Sequence, residues 1–230
     1  WSESANNGGW VVAGGHTVDG PEPMYGMSLV GEIDENAALT NSGGREGQAL
    51  VLTKPLGTGL LATALKRSEP EAIQDGGRLQ QIYTAGVREM TRLNAAAAEA
   101  ALQAEASAAT DVTGFGLLGH LHELVSASGL SAFIESEVVP RLPDVADLVD
   151  EGFVAGGTER NLDYLEPHLS GGSPTDRLIM CDAQTSGGLL FSCDPAAAME
   201  AVTELRNGGH MAAVIGGLES GTPGQITLRN

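Results

Sequence analysis

The chain has 230 residues, with 30 acidic and 12 basic side chains and a formal net charge of −18. Binding to DNA, RNA or anionic lipid needs clustered Lys and Arg, so this composition argues against nucleic-acid and membrane partners. The sequence also lacks a run of about 18 apolar residues that could span a bilayer, and no positively charged leader precedes an apolar stretch.

Glycine and lysine are used unusually. Glycine accounts for 32 residues, about twice the usual share of roughly 7%, and it falls in short clusters that predict loops with special backbone demands. Lys54 and Lys66 are the only lysines. Adaptation to concentrated salt and drift in a GC-rich genome both explain an acidic, lysine-poor chain. Cys181 and Cys193 have no metal-ligand spacing, which favours a reducing, cytoplasmic location.

The first part of the chain is strand-like. Short apolar or alternating runs predict strands at Gly9–Ala13 and Met27–Ile33, with a loop of glycine, proline and acidic residues between them. The polar, Gly-rich stretch from Asn36 to Gly47 is the best candidate for a domain boundary. We therefore expect one domain to end at residue 45 and a second to occupy residues 46–230.

A buried strand is predicted at Ala49–Thr53, followed by a helix over Gly59–Arg67 with Thr58 as its N-cap. The 3.6-residue period predicts helical structure over Gly77–Glu105, where the alanine run Ala95–Ala101 would let another element approach closely. Further predicted helices are Phe115–Ala127, Pro143–Asp150 and Pro195–Asn207, and further strands are Ala132–Ile134, Ala212–Ile215 and Gln225–Leu228. Because strands and helices mix throughout, the fold class is α/β or α+β.

The strongest candidate site lies in the stretch Ala109–His120. Asp111 ends a strand, a glycine turn follows, and a helix then begins, so backbone N–H groups of the first turn can face an anion beside a hard oxygen ligand. This pattern predicts Mg²⁺ at Asp111 and phosphate contacts at Thr113 and Gly114. The alternative is that Asp111 and Thr113 only cap the helix.

Two other glycine-containing loops could contact phosphate. Gly14, Gly15 and His16 could approach a nucleotide closely, although an ordinary loop with an exposed histidine would have the same sequence. Thr185, Ser186 and Gly187 could form an anion nest, or they could simply connect the two strands of a hairpin, Leu178–Cys181 and Gly188–Ser192.

Several other polar residues have simpler interpretations. Arg160, after Gly156-Gly157, could meet an anion or form a surface salt bridge. Lys54 is better interpreted as a solvated charge at a sheet edge, and Cys181 as a buried, inert thiol. His120 and His122 do not share a helix face, so we do not expect them to bind a metal together.

Together, six stretches resemble selenophosphate synthetase (selenide, water dikinase), and they occur in the family's order over nearly the whole chain. They are Ala13–Pro23, Leu52–Gly59, Met90–Asn94, Ala109–His122, Gly156–Asn161 and Cys181–Leu190. Six collinear stretches are far more specific than any single glycine motif.

The resemblance implies an aminoimidazole-ribonucleotide-synthetase-like enzyme with two α/β domains that dimerises through its N-terminal domains. It implies conversion of ATP, selenide and water into selenophosphate, AMP and phosphate with Mg²⁺. By this resemblance Asp111 matches the magnesium-ligating aspartate of the C-terminal domain. Gly14, Gly15 and His16 match a nucleotide-binding loop that reaches the partner subunit's active site.

The sequence departs from the family pattern at its start, because the family's Cys or selenocysteine, a nearby Lys and further aspartates all precede the matched region. Residues 1–45 are therefore expected to be the tail of the N-terminal domain, with no catalytic nucleophile in this chain and little activity alone. Two alternatives are a non-catalytic nucleotide-binding or scaffold module and a sister enzyme of purine or carbamoyl chemistry. The Gly-Gly-His loop and the Gln184–Gly188 stretch favour the selenium branch.

Overall fold

The computed structural model describes residues 8–21, 24, 26–34, 38–69 and 76–230. The chain divides into two compact units, Trp1–Ala38 and Leu39–Asn230. The described residues of the first unit contain no strand, so the strands predicted at Gly9–Ala13 and Met27–Ile33 are not formed there. A strand needs a neighbour to take up its backbone hydrogen bonds, and no described residue of this unit supplies one.

The second unit mixes helices and strands, which confirms the predicted fold class. Its described helices are α1 (Thr58–Arg67), α2 (Arg78–Thr91), α3 (Ala95–Gln103), α4 (Gly116–Ser128), α5 (Val145–Asp150), α6 (Gly156–Leu165), α7 (Pro174–Cys181) and α8 (Pro195–Asn207). Its described strands are β1 (Ala49–Leu52), β2 (Ala108–Asp111), β3 (Ser131–Glu135), β4 (Leu169–Gly171), β5 (Leu189–Cys193), β6 (Ala213–Glu219) and β7 (Ile226–Arg229). None of the described helices is long and apolar enough to cross a bilayer.

The strands form one mixed sheet in the order β2-β5-β1-β6-β3-β7-β4. β5 lies antiparallel between β1 and β2, with Leu190 opposite Leu52 and Leu189 opposite Asp111. The ends of β1 and β2 and the start of β5 therefore meet at one edge of the sheet. At the other side of the sheet, β7 runs parallel to both β3 and β4.

Side-chain alternation in β1 explains why helices cover both faces of the sheet. Leu50 and Leu52 point into the larger core cluster, while Ala49 and Val51 point into a smaller one. The smaller cluster contains Ala97, Ala100 and Ala101 of α3 and the buried face of α8. The alanine run thus gives the close helix approach that the sequence predicted.

Two predicted elements are wrong in detail. The helical stretch Gly77–Glu105 is two helices, because the chain turns into an extended conformation at Arg92. The segment ending at Cys181 is helix α7 and not a hairpin strand. Ser173 Oγ accepts a hydrogen bond from the Asp176 N–H at 3.1 Å, and the Asp176 carboxylate accepts one from the Ser173 N–H at 3.3 Å, so a capping box with Pro174 at the first helical position starts this helix.

Candidate functional site

Loops from five of the six matched stretches converge at the edge where β1 and β2 end and β5 begins. The loop after β2 bonds directly to the loop before β5, because the Val112 N–H donates to the Gly188 carbonyl at 2.9 Å. The Gln184 N–H donates to the Thr113 carbonyl, also at 2.9 Å. The predicted residues Asp111, Thr113 and Gly114 are therefore brought together with Thr185, Ser186 and Gly187.

The β2–α4 turn carries Asp111, and a hydrogen bond to the His120 side chain of α4 stabilises it. Asp111 is the last residue of β2, and its side chain is exposed. The Thr113 N–H donates to His120 Nε2 at 3.0 Å, and the Thr113 hydroxyl lies 3.1 Å from the same nitrogen. Burial lowers the pKa of His120, against the opposing effect of Asp111, and so favours the neutral ring that this N–H contact needs.

Asp182 organises the start of α1 from a fully buried position. Its Oδ2 accepts hydrogen bonds from the N–H groups of Gly59 at 3.0 Å and Leu60 at 3.1 Å. Its Oδ1 accepts one from the Thr158 hydroxyl of α6 at 3.2 Å. Burial raises the pKa of Asp182 to about 6, despite these hydrogen bonds. Asp182 thus ties two helix starts to the loop before β5.

The predicted N-cap role of Thr58 is wrong, because α1 begins at Thr58 itself and its N-cap residue is Gly57, which has no side chain that could cap the helix. The Thr58 hydroxyl instead donates to Gln184 Oε1 at 3.1 Å and accepts from the Thr185 N–H at 2.9 Å. Gln184 Oε1 also accepts from the Gly57 N–H at 3.1 Å. Thr58 therefore helps to join the β1–α1 loop to the loop before β5.

The stretch Gly156–Asn161 contributes one hydrogen-bonding side chain to the site, that of Asn161. Gly156 and Gly157 begin helix α6, on which Arg160 is exposed. Asn161 Nδ2 donates to the carbonyls of Gly114 and Cys181, both at 3.0 Å. Asn161 therefore anchors the Asp111 turn to the end of α7. The sequence had pointed to Arg160 and not to Asn161 as the functional residue of this stretch.

Lys54 is not the solvated edge charge that the sequence suggested. Its side chain is buried, and Nζ donates to the carbonyls of Arg92 at 2.7 Å and Ser186 at 2.9 Å. Asn94 Nδ2 donates to the next carbonyl of the same loop, that of Gly187, at 2.9 Å. The stretches around Lys54 and Asn94 thus support the loop before β5 from inside the protein.

Some backbone N–H groups of the site lie on exposed residues and have no acceptor within the described part of the chain, so they can donate to a ligand. The N–H groups of Thr113 and Thr185 are taken by His120 and Thr58. In the described part of the chain, the N–H groups of Gly114 and Ser186 have no protein acceptor, and both residues are exposed. These two donors lie on the linked loops beside Asp111, an arrangement that suits an anion with its counter-cation.

The predicted nucleotide contacts lie in the first unit, and the two cysteines are chemically inert. Gly14, Gly15 and His16 are exposed residues of the first unit. Burial raises the pKa of Cys181 to about 12 and that of Cys193 to about 11, so both thiols stay protonated near neutral pH. Within the described ranges, no three His, Cys, Asp or Glu side chains are grouped to hold a metal ion. Asp111 is exposed, and one exposed carboxylate can supply a single ligand to Mg²⁺, which usually takes its other ligands from phosphate and water.

Five side chains that hold the site together were not predicted to do so, and they share one feature of the sequence. Asn94, His120, Asn161, Asp182 and Gln184 all lie inside stretches that carry the family resemblance, yet each acts by bonding to another loop of the site. Their position within the matched stretches is the only feature of the sequence that marks them.

Comparison with known proteins supports the resemblance. A "Selenide, water dikinase" of Myxococcus xanthus is 38% identical over 225 residues, covering 96% of this chain and 62% of that protein. A "Selenide, water dikinase" of Porphyromonas gingivalis is 40% identical over 217 residues, covering 93% of this chain and 60% of that protein. The chain thus spans about three fifths of the length of these relatives.

The fold also has solved counterparts. A crystal structure of the hydrogenase maturation protein HypE in complex with ATP has a TM-score of 0.56, with 19% sequence identity over 86% of this chain and 51% of that one. The sequence model described as "AIR synthase related protein, C-terminal domain" matches residues 45–229. The network of loops at the β1–β2–β5 edge lies within this match, and the chain belongs to the AIR synthase related protein, C-terminal domain family.

Proposed function

We propose that this chain is the C-terminal portion of an ATP-dependent enzyme that makes selenophosphate from selenide and water and releases AMP and phosphate. The observation that carries the proposal is the 38–40% identity to proteins named selenide, water dikinase over 93–96% of the chain. The proposal is also supported by the position of five matched stretches at one sheet edge, because residues that act on the same ligand have to lie close together.

The proposal includes the division of labour between the domains. Residues 1–45 are the C-terminal remnant of an N-terminal ATP-binding and dimerisation domain, and residues 46–230 are the C-terminal α/β domain. The nucleophile, a Cys or selenocysteine, and its neighbouring Lys belong to the upstream part of the parent protein. The parent is a cytoplasmic homodimer that binds ATP and selenide, and the chain has no nucleic-acid or membrane partner.

The chain's own residues would act by positioning phosphate groups. The exposed N–H groups of Gly114 and Ser186 would donate to phosphate oxygens, with Thr113, Thr185 and Gly187 shaping the two loops around them. Gly14, Gly15 and His16 would contact the nucleotide. Asp111 would hold Mg²⁺, which neutralises phosphate charge when bound and so lets a protein of net charge −18 accept a polyphosphate.

The experiment is a product assay on the full-length parent protein. We expect AMP to form from ATP only when selenide is present, and we expect this chain alone to form almost none. Asp111→Asn in the parent should lower the rate by about tenfold or more, since positioned charge carries much of phosphoryl transfer. The exposed Asp163→Asn on α6 is the matched control and should keep the parental rate.

Equal AMP formation with and without selenide would contradict the selenophosphate assignment. Normal turnover by the isolated chain would contradict its incompleteness. A parental rate in Asp111→Asn would remove Asp111 from the metal site and leave the assignment of the reaction untouched.

A further inference from the structure

A buried polar cluster lies directly behind the loop Thr185–Gly188. It comprises the side chains of Lys54, Glu89, Arg92, Asn94 and His210, and the residues Lys54 and Glu89 are only 2% and 1% exposed. Two buried atoms in it, Asn94 Oδ1 and His210 Nδ1, have no hydrogen-bond partner among the described residues, and Glu89 Oε2 and Arg92 Nε meet only as an ion pair at 3.4 Å. The cluster is therefore charged and incompletely satisfied, which is costly for a region with only a packing role.

Two side chains of the cluster donate hydrogen bonds to two consecutive carbonyl groups of the loop. Lys54 Nζ donates to the Ser186 carbonyl at 2.9 Å, and Asn94 Nδ2 donates to the Gly187 carbonyl at 2.9 Å. Lys54 Nζ also donates to the Arg92 carbonyl at 2.7 Å, which fixes the end of its own side chain. The two side chains thus act as a clamp that holds these carbonyls toward the protein interior.

The clamped loop has an unusual backbone. Ser186 has a φ of +52°, in the left-handed region that non-glycine residues rarely enter. A Cβ at Gly188 would lie 2.6 Å from the Lys54 backbone nitrogen, so only glycine allows the loop to pack so closely against the end of β1. With its carbonyl held inside, Ser186 is exposed and its N–H has no acceptor in the described part of the chain.

A neutral donor would satisfy the Ser186 carbonyl more cheaply than a buried ammonium group. Burial lowers the pKa of Lys54 to about 8, while Glu89 raises it and Arg92 lowers it. Glu89 and Arg92 at the end of α2 and His210 after α8 are the charged and titratable groups that face Lys54, and Arg88 Nε donates to Glu89 Oε1 at 3.0 Å from the outside of the cluster. Glu89 favours the ammonium form less than burial disfavours it, and a positive charge just beneath an exposed loop would also attract an anion bound outside.

We propose that Lys54 is a positioning residue whose ammonium charge, together with the Asn94 amide, holds the Ser186–Gly187 carbonyls inward so that the loop before β5 presents its N–H face to a phosphate group. The inference rests on the proposed function for the identity of the anion as a polyphosphate. Lys54 touches no substrate in this scheme and acts only through the loop and its charge.

The test is binding of inorganic tripolyphosphate with MgCl₂ to the whole 230-residue chain, followed by amide NMR shifts of Ser186 and Gly114. We expect Lys54→Met to weaken binding by about tenfold, which corresponds to ~1.4 kcal/mol. Lys54→Arg keeps the charge and should restore most of the affinity. Lys66→Met removes the same charge from the exposed surface of α1 and is the matched control, with affinity close to that of the unaltered chain.

The pH profile separates a charge effect from a merely structural one. The affinity of the unaltered chain should fall more steeply above about pH 8 than that of Lys54→Met, because only the former loses a proton from Lys54. Parallel pH profiles, or equal losses in Lys54→Met and Lys66→Met, would overturn the proposal. If Lys54→Met does not fold, Lys54→Arg is the deciding variant. Because arginine keeps its proton at higher pH, Lys54→Arg should keep its affinity for tripolyphosphate to a higher pH than the unaltered chain. An identical decline of affinity with pH in the two proteins would overturn the proposal.

A lack of any shift at Ser186 with tripolyphosphate would also overturn the clamp. That outcome is distinct from failure of the proposed function, which is judged by selenide-dependent AMP formation in the parent.

Discussion

The carboxyl group of Asp182 carries much of the local order of the site, and its environment makes it sensitive to pH. Two N–H groups of α1 and the Thr158 hydroxyl of α6 donate to it. These bonds favour the carboxylate, while complete burial disfavours it more strongly and raises the pKa of Asp182 to about 6.

This pKa predicts the sign of one pH effect on stability. The folded state holds a proton on Asp182 over the range from the ordinary pKa of 3.8 to about 6, where the unfolded state has lost it. The contribution of Asp182 to the free energy of unfolding therefore decreases as pH rises through this window and is constant above it. The difference between the two pKa values corresponds to ~3 kcal/mol.

Asp182→Asn tests this, since an amide keeps the shape of the group and does not titrate. We expect the free energy of unfolding of the unaltered chain, measured relative to Asp182→Asn by urea denaturation, to increase by up to ~3 kcal/mol from about pH 7 to about pH 4. The exposed Asp163→Asn controls for loss of one charge. A pH-independent difference between the unaltered chain and Asp182→Asn would contradict the raised pKa.

At the scale of elements, the site depends on how closely α4 and α7 approach each other. Gly116, the first residue of α4, has a φ of +69°, and a Cβ there would lie 2.6 Å from the backbone carbon of Cys181 at the end of α7. The same glycine N–H donates to the Thr113 carbonyl at 3.1 Å, which closes the Asp111 turn. Backbone conformation and contact both require glycine here.

Gly116→Ala and Gly129→Ala separate these two requirements. Gly129 caps α4 with a φ of +70°, and a Cβ there would meet nothing within 4 Å. We expect Gly129→Ala to lower the free energy of unfolding by about 1 kcal/mol through backbone strain alone. Gly116→Ala should cost ~3 kcal/mol, because overpacking against α7 adds to that strain. Equal losses in thermal or urea denaturation would show that the contact with Cys181 relaxes freely.

At the scale of the whole molecule, the net charge of −18 is the dominant long-range term. Repulsion among like charges destabilises a compact state. Added salt shortens the range of this repulsion to about 10 Å at 0.1 M and to about 3 Å at 1 M. Six ion pairs are described, and only Arg78–Glu151 and Arg229–Glu219 have both side chains exposed, but six pairs leave the excess of 18 negative charges uncompensated.

We therefore expect the melting temperature of the chain to be higher in molar KCl than in dilute buffer. An equal osmolality of sucrose is the control, because it strengthens burial through exclusion from the surface without screening charge. A larger increase in KCl than in sucrose would fit adaptation to concentrated salt. A decrease in KCl would remove that explanation and leave compositional drift.

The sequence by itself determined the local elements. The helix α4, the alanine run of α3, the Pro195 start of α8 and the apolar run of β1 are encoded within a few residues, and their physical causes are local propensity and burial. The Asp111 turn was likewise visible, since a carboxylate, a glycine turn and a helix start are adjacent in the chain.

Only the tertiary structure decided what holds that turn and its neighbouring loop. Lys54 reaches the Ser186 carbonyl across 132 residues, and Asp182 reaches the Gly59 N–H across 123. The break between α2 and α3 likewise places Arg92 and Asn94 against distant loops. The pairing of β5 with β1 and β2 brings together hydrogen-bond partners that lie this far apart in the chain. The local sequence around Lys54 does not distinguish a solvated charge from a buried clamp.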